Sequence, residues 1–413
     1  MHSLPVDPDR LTAIAHKWGT PTYVYLENII RERCRKLTGL FSDVPVSWLY
    51  AVKANDNPHI LAIIAEEGLG FDTVSYEEVL LSLKMGTKPE NIFYTENNMT
   101  DSEMNGAAKQ GVILNIGSLS RLKTFCENWP GSKCCIRIKP DIGDGHHVKV
   151  DTGNIDSKFG IRMDLIDEVN AITSDHGVTV TGLHAHIGSG IRKPENLLFE
   201  IDVLLKEAQS FKDLEFINFG GGIPIPYQSG ETEFEMERFA DLARLRFREY
   251  LKEGKNNVRF YFEPGRWVVG MAGVLLTQIN TVKDQGRKIF LGTDTGFNHL
   301  LRPALYDAYH EVCNISADQG ASSDTYEIAG NICESGDILA KNRILPKTKT
   351  GDYLAIRDAG AYGMTMASQY NRRALPAEVM VTQQGFHKTI RRRKTAEQTV
   401  DDFMKDTGFT QKQ

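Results

Sequence analysis

The 413-residue sequence contains no apolar run near the ~20 residues of a membrane span. Its first residues, MHSLPVDPDR, show neither the basic nor the apolar segment of a secretory leader, so the expectation is a cytoplasmic protein. Cationic excess is missing too: a formal net charge of -6 removes the electrostatic case for nucleic acid or an anionic membrane as partner. The one basic cluster, Lys388 to Lys394 (KTIRRRK), is expected on a solvated strand or helix edge. Cysteine is scarce. Its six residues (Cys34, Cys126, Cys134, Cys135, Cys313, Cys333) have no metal-ligand spacing and are too sparse for a disulfide scaffold. Repeats and low-complexity segments do not stand out. What is present, 41% hydrophobic and 25% charged residues, is the composition of a soluble globular protein, and the length fits two domains.

Strand patterns fall near 47–52, 70–74, 91–95, 112–116, 134–138, 178–186, 215–219 and 258–262. Amphipathic helical patterns, such as His59 to Glu67, Glu77 to Met85 and Phe199 to Phe211, lie between most of them. Eight strands alternating with helices predict an α/β fold of the (β/α)₈ TIM type. Past Arg266 the pattern changes to short strands separated by turns, as in GRKIFLGTD, GDYLAIRD and AEVMVTQ. The expected division is a barrel over 26–266, and a β-rich domain built from 1–25 and 267–413.

In such a barrel, chemistry sits at the C-terminal ends of the strands. Four motifs fall there: Lys53 closing SWLYAVKANDN, His186 opening HIGSG, Gly220 to Gly222 after INF, and Glu263 opening EPGR. A strand-end lysine alone is best read as snorkelling to the surface. Lys53 on the same rim as three other motifs suits an amine nucleophile instead. Glycines after a strand let backbone N–H groups approach an anion, and the neighbouring Gly188, Ser189 and Gly190 reinforce a phosphate cradle. Lysine plus phosphate cradle points to pyridoxal 5′-phosphate. Glu263 is placed to pair with the pyridine nitrogen, and His186 is a candidate for the ring face. The His184/His186 pair is also the type that holds a metal in barrel hydrolases, but further ligands are not evident, His146 and His147 lying in a glycine-rich loop. No metal is therefore expected. Cys333, in the polar turn CESGD, is a candidate proton donor.

With YAVKAN, HIGSG, FGGG, EPGR, CESGD and GAYG in this order, the sequence resembles the fold-type III pyridoxal-phosphate decarboxylases, from PTYVY near residue 21 to PAEVMV at 376–381. Three longer stretches share the likeness: GDGHHVKVDTGNIDSKFGI (143–161), GFNHLLRPALYDAYH (296–310) and MASQYNRRALPAEV (366–379). The resemblance implies an alanine racemase-like architecture, a barrel followed by a β-domain that recruits the N-terminal residues. It also implies a head-to-tail homodimer with shared active sites. Lys53 would carry the cofactor, His186 would stack on its ring and Glu263 would bind its nitrogen. Gly220, Gly221, Gly222, Ser189, Gly265 and Arg266 would hold the phosphate. Arg266, Arg302 and Tyr306 would bind a distal carboxylate on the substrate. From the partner subunit Cys333 would donate a proton, Glu334 would contact the distal ammonium, and Tyr362 would touch cofactor and substrate.

The activity so implied is decarboxylation of meso-2,6-diaminopimelate at its D centre to L-lysine and CO2. Two arginines give bidentate recognition of a carboxylate that ornithine or lysine lacks. Rival expectations are decarboxylation of D-lysine, D-ornithine or carboxynorspermidine, and, from another class, an inactive regulatory homologue. The sequence departs from the family pattern twice. Val74-Ser75-Tyr76-Glu77-Glu78 lacks the glycine usual before glutamate, and Arg137-Ile138-Lys139-Pro140 has lysine where asparagine is common.

Overall fold

The computed structural model describes residues 4–140, 157–254, 257–318 and 320–408. The chain divides into two compact units. One comprises Arg31–Ile225 and Thr232–Val268, the other Met1–Ile30, Pro226–Glu231 and Val269–Gln413.

The first unit is a closed parallel barrel. Among the described residues its eight strands are Val46–Ala51, Gly70–Thr73, Ile92–Thr95, Ile113–Ile116, Lys133–Lys139, Thr179–His184, Phe216–Asn218 and Arg259–Phe262. Each pairs in parallel with the next, and the last pairs with the first. The expected (β/α)₈ architecture is present. A two-residue strand, Ile161–Arg162, adds alongside the fifth.

Helices between the strands start where the sequence supplies capping groups. Asn57 accepts from His59 N ahead of Pro58–Glu66, Ser75 from Glu78 N ahead of Tyr76–Lys84, and Thr100 forms a capping box with Glu103 ahead of Asp101–Gln110.

Strand side chains alternate, so the barrel lumen is built in layers from alternate strands. Leu49, Phe93, Cys135 and Phe216, from the first, third, fifth and seventh strands, form one apolar cluster. Gly182 makes room for it: a Cβ there would lie 2.0 Å from the Phe216 ring. Two residues further along the same strands stand Thr95, Arg137 and Asn218, all buried. The lumen thus changes from apolar to polar as it approaches the C-terminal rim. Outside the strands, Phe247 on helix Met236–Lys252 stacks on Phe260 at 4.1 Å, within a cluster that includes Phe41, Trp48, Phe219 and Phe262.

The second unit is mostly sheet, the separate β-rich domain anticipated from the turn-punctuated pattern. Strand Thr22–Leu26 lies between Gly273–Asp284, antiparallel, and Ala377–Val381, parallel. Helix Pro8–Trp18 buries Leu11, Ile14 and Ala15 against Val24, Val274, Leu276 and Val379. The basic run begins on strand His387–Arg391, where Arg391 pairs with the buried Glu378, and Arg393 donates to the carbonyls of Pro21 and Trp18.

Candidate active site

At the C-terminal end of the first barrel strand the chain makes a single 3-10 turn, Val52–Ala54, with Lys53 at its centre. Lys53 Nζ donates to Asp72 Oδ2 at 2.6 Å, and the lysine side chain keeps about a third of its surface exposed. Asp72 is buried near the end of the second strand and also accepts from Thr95 Oγ1 at 3.4 Å. Burial and the nearby Glu263 push its carboxyl up to about 6, against the opposing pull of Lys53. Glu78 accepts from Val74 N at 2.8 Å and is pushed up to about 7, again by burial.

Glu263 follows the eighth strand. Its Oε1 accepts from Asn218 Nδ2 at 2.7 Å, its Oε2 lies 3.4 Å from His184 Nε2, and its N–H donates to Gly220 O at 2.7 Å. Burial raises the Glu263 carboxyl, while Lys53, the Asn218 hydrogen bond and Arg137 hold it down. His184 and His186 are both held far below the usual imidazole range, first by burial and then by the Arg137 guanidinium. They are neutral rings at pH 7. His186 Nδ1 accepts from Gly221 N at 3.3 Å, which leaves the ring proton on Nε2.

The glycine run has a nearer cause than an incoming anion. A Cβ on Gly220 would lie 2.7 Å from Ala185 O, one on Gly221 2.2 Å from Glu263 O, and one on Gly222 2.5 Å from Gly188 O. Gly220 and Gly222 also have φ of +60° and +103°. The sixth, seventh and eighth strand ends come together only because these positions lack side chains. Gly220 N donates to Asn218 Oδ1, and the N–H groups of Gly190 and Ile191 both donate to Gly222 O. Beside this turn Arg266 Nη2 donates to Ser189 Oγ at 3.1 Å. Gly265 passes close to the first strand, where a Cβ would meet Ala54 Cβ at 2.9 Å.

These residues form one rim: an amine, a buried carboxyl held from two sides, neutral imidazoles, and an arginine with a serine beside a glycine turn. That donor set fits pyridoxal phosphate. Lys53 matches its aldehyde, Glu263 its ring nitrogen, and Ser189 and Arg266 its phosphate.

The other predicted residues belong to the sheet-rich unit. Arg302 opens the short helix Arg302–Tyr306 and is buried; its Nη1 lies 2.7 Å from His310 Nε2, and the Tyr227 ring covers it at 4.5 Å. Cys333 is exposed, and its N–H donates to Asn371 Oδ1 at 2.9 Å. Glu334 Oε1 accepts from Tyr370 Oη at 2.6 Å. The turn carrying both is pinned by the buried Asp337, which accepts from Ile332 N at 2.7 Å and Phe297 N at 2.6 Å. Tyr362 sits at φ +56°, half-buried.

Sequence reading missed Asp72, Asn218 and the role of Arg137, and weighed His184 only as a metal ligand. All are polar residues near the ends of apolar strands, and their period-two spacing from lumen residues such as Phe216 was the available signal. Among the described residues no group of three or more His, Cys, Asp or Glu is arranged to hold a metal ion. His146 and His147, with the rest of 143–156, lie outside the described residues. Of the two departures, Lys139 donates to the Ser157 carbonyl, and Glu77 is exposed on its helix.

The chain belongs to the pyridoxal-dependent decarboxylases: the family signature described as "Pyridoxal-dependent decarboxylase, pyridoxal binding domain" matches residues 27–270. Its cofactor is accordingly pyridoxal phosphate. Within that family its relatives are diaminopimelate decarboxylases. The one from Methanothermobacter thermautotrophicus is 41% identical over 391 residues, covering 92% of this chain and 91% of the relative. That from Aquifex aeolicus is 36% identical, covering 95% and 93%. Among solved structures, Helicobacter pylori diaminopimelate decarboxylase in complex with L-lysine superposes with a TM-score of 0.88 at 29% identity, covering 97% of this chain and all of that one.

Proposed function

We propose that this chain decarboxylates meso-2,6-diaminopimelate at its D centre, giving L-lysine and CO2. The observation that carries the reading is one polar barrel rim holding both Lys53, bonded to Asp72, and Glu263, bonded to Asn218, in a chain similar over nine-tenths of its length to diaminopimelate decarboxylases. When bound, pyridoxal phosphate supplies a carbonyl that captures amines and a ring that takes up the electron pair released with CO2.

Lys53 offers the amine, and Asp72, with its carboxyl near 6, holds that amine and is a weak base beside it. Glu263 accepts a hydrogen bond from the ring nitrogen, kept in place by Asn218 and His184. Neutral His186 would lie against the ring, and His184, also neutral, adds no positive charge beside Glu263. Ser189, Arg266, Gly265 and the turn of Gly220, Gly221 and Gly222 would border the phosphate, the N–H groups of Gly220 and Gly221 being held by Asn218 and His186. Arg302 and Tyr306, with Arg266, bind the distal carboxylate of the substrate. Lysine and ornithine are rejected because they would leave these cations unpaired in a closed site.

We further infer a head-to-tail homodimer in which the partner subunit supplies Cys333 as proton donor, Glu334 for the distal ammonium, and Tyr362 against cofactor and substrate. The contacts of Asn371 to the Cys333 backbone and of Tyr370 to the Glu334 carboxylate support a fixed conformation for the turn that carries both residues. Six free cysteines support a reducing, cytoplasmic setting. Among the described residues no helix is long and apolar enough to cross a membrane.

The test is a substrate panel with purified, cofactor-loaded protein: meso-diaminopimelate, D-lysine, D-ornithine and carboxynorspermidine. Release of CO2 and L-lysine from meso-diaminopimelate, with kcat/KM at least a hundredfold above the others, is expected. No turnover of diaminopimelate ends this reading, and no turnover of any substrate favours a regulatory homologue.

A further inference from the structure

The Arg302 guanidinium is held by a chain of contacts that the proposed reaction does not itself require. Helix Arg302–Tyr306 ends at Asp307, whose φ of +51° turns the backbone sharply. That reversal brings His310 back to face Arg302 eight residues after it. His310 is fully buried. Its Nδ1 lies 2.8 Å from the Arg357 carbonyl oxygen, which can only accept, so Nδ1 carries the ring proton. Its Nε2 is therefore the lone-pair nitrogen, and it receives Arg302 Nη1–H at 2.7 Å. The hydrogen bonds run in one direction, from guanidinium to imidazole to backbone carbonyl.

The Arg357 carbonyl is itself fixed, because Arg357 N donates to Glu311 O at 2.9 Å just past strand Tyr353–Ile356. Tyr227 completes the mount: its ring lies 4.5 Å from the guanidinium carbon and meets the His310 ring edge-on at 5.3 Å. A buried guanidinium most often meets a carboxylate. A neutral imidazole at Nη1 orients the plane without cancelling the charge through that bond.

We propose that His310 is a positioning residue that sets specificity: it fixes the plane of Arg302 toward a substrate's distal carboxylate. This rests on the reading of Arg302 as part of the distal-carboxylate site. Tyr227 acts with it as the ring over which the guanidinium carbon sits.

The experiment uses the holoenzyme and compares meso-diaminopimelate with D-lysine, which lacks the distal carboxylate, in the variants His310→Leu, His310→Gln and Arg302→Met. In His310→Leu, KM for meso-diaminopimelate rises about tenfold, more than kcat falls, as loss of a charged hydrogen bond predicts. The preference for meso-diaminopimelate over D-lysine drops by about the same factor. His310→Gln, whose amide can accept from Arg302 and donate to Arg357 O, recovers most of both. In an Arg302→Met background, His310→Leu adds little further loss. Equal loss on both substrates, failure of Gln to rescue, or additive losses in the double variant would each overturn the proposal by making His310 a purely structural residue. If neither His310 variant yields folded protein, the role is structural and the proposal falls as well. Should Arg302→Met keep the full preference, it is the assignment of Arg302 that fails.

Discussion

Gly221→Ala isolates the geometry of the rim from its chemistry. Gly221 has no positive φ, so alanine is acceptable to its own backbone; the obstacle is the added Cβ, which would stand 2.2 Å from Glu263 O and 3.0 Å from its carbonyl carbon. An ordinary carbon–oxygen contact is about 3.3 Å, so one backbone must give way by about 1 Å. The seventh and eighth strand ends are joined here by Glu263 N–H to Gly220 O at 2.7 Å, and the Glu263 side chain is tied to Asn218 at 2.7 Å. Movement of this backbone therefore displaces the Glu263 carboxyl, the group proposed to face the cofactor. Overpacking of this kind costs about 1–3 kcal/mol in stability. A misplacement of about 1 Å at a reacting group costs about a hundredfold in rate.

The assays are thermal melting, titration with pyridoxal phosphate followed by absorbance, and kcat/KM on diaminopimelate. Expected are a lower melting temperature, weaker cofactor binding, and kcat/KM down about two orders of magnitude. Gly39→Ala is the control: nothing lies within 4 Å of its added Cβ, at the end of helix Glu27–Gly39. It should leave activity intact and change stability by no more than about 1 kcal/mol. A Gly221→Ala enzyme with wild-type kcat/KM would refute the claim that the glycine run exists to let three strand ends meet.

Glu78 gives a pH test. Burial raises its carboxyl from 4.5 to about 7, so the folded state keeps a proton that the unfolded chain gives up earlier. That contribution is complete below about pH 4.5 and is lost as pH rises through 7, amounting to at most about 3 kcal/mol. Glu78→Gln should flatten the fall of melting temperature across that window, and an unchanged pH profile would count against a buried, protonated Glu78. Cys333→Ala should fold and bind cofactor with kcat reduced at least a hundredfold; unchanged turnover would remove the thiol from the mechanism. For the shared site, activity per chain should fall on dilution in step with dissociation measured by analytical ultracentrifugation, and a fully active monomer would exclude it.

Much of the barrel was legible because its strands are short apolar runs separated by helices with clear caps, such as Asn57 before Pro58–Glu66 and Ser75 before Tyr76–Lys84. Glu263 stood out because a charge directly after FYF is costly without a role, and Lys53, ambiguous by itself, because three other motifs end strands on the same rim. Asp72 lies inside GFDTV, where a single acidic residue in an apolar strand can face either way until the barrel closes. Asn218 and Arg137 were hidden by the same ambiguity. In the sheet-rich unit, strands Ser323–Ala329 and Ile338–Pro346 escaped because they are partly exposed and mix charged with apolar residues. The mount of Arg302 was beyond reach for another reason. Tyr227 is 75 residues away in sequence, and no pattern along the chain links it to RPALYDAYH.

The layered lumen suggests why the lysine and the glutamate have to come as a pair. Burial and the neighbouring Glu263 raise the Asp72 carboxyl, burial raises that of Glu263, and Lys53 opposes the shift at both. Arg137 adds a second buried cation, which favours the ionised carboxylates and depresses both histidines. With Lys53 as an ammonium, two cations face two carboxylates and the rim is balanced. With cofactor bound, Lys53 would give up part of its contact to Asp72, and a cationic group of the cofactor at Glu263 would replace that charge at the carboxyl that Asn218 already holds in place. Neutral imidazoles are then the right companions, because a charged His184 at 3.4 Å would satisfy Glu263 without the cofactor. Burial keeps that histidine uncharged, which would leave Glu263 available to the ring nitrogen proposed for it.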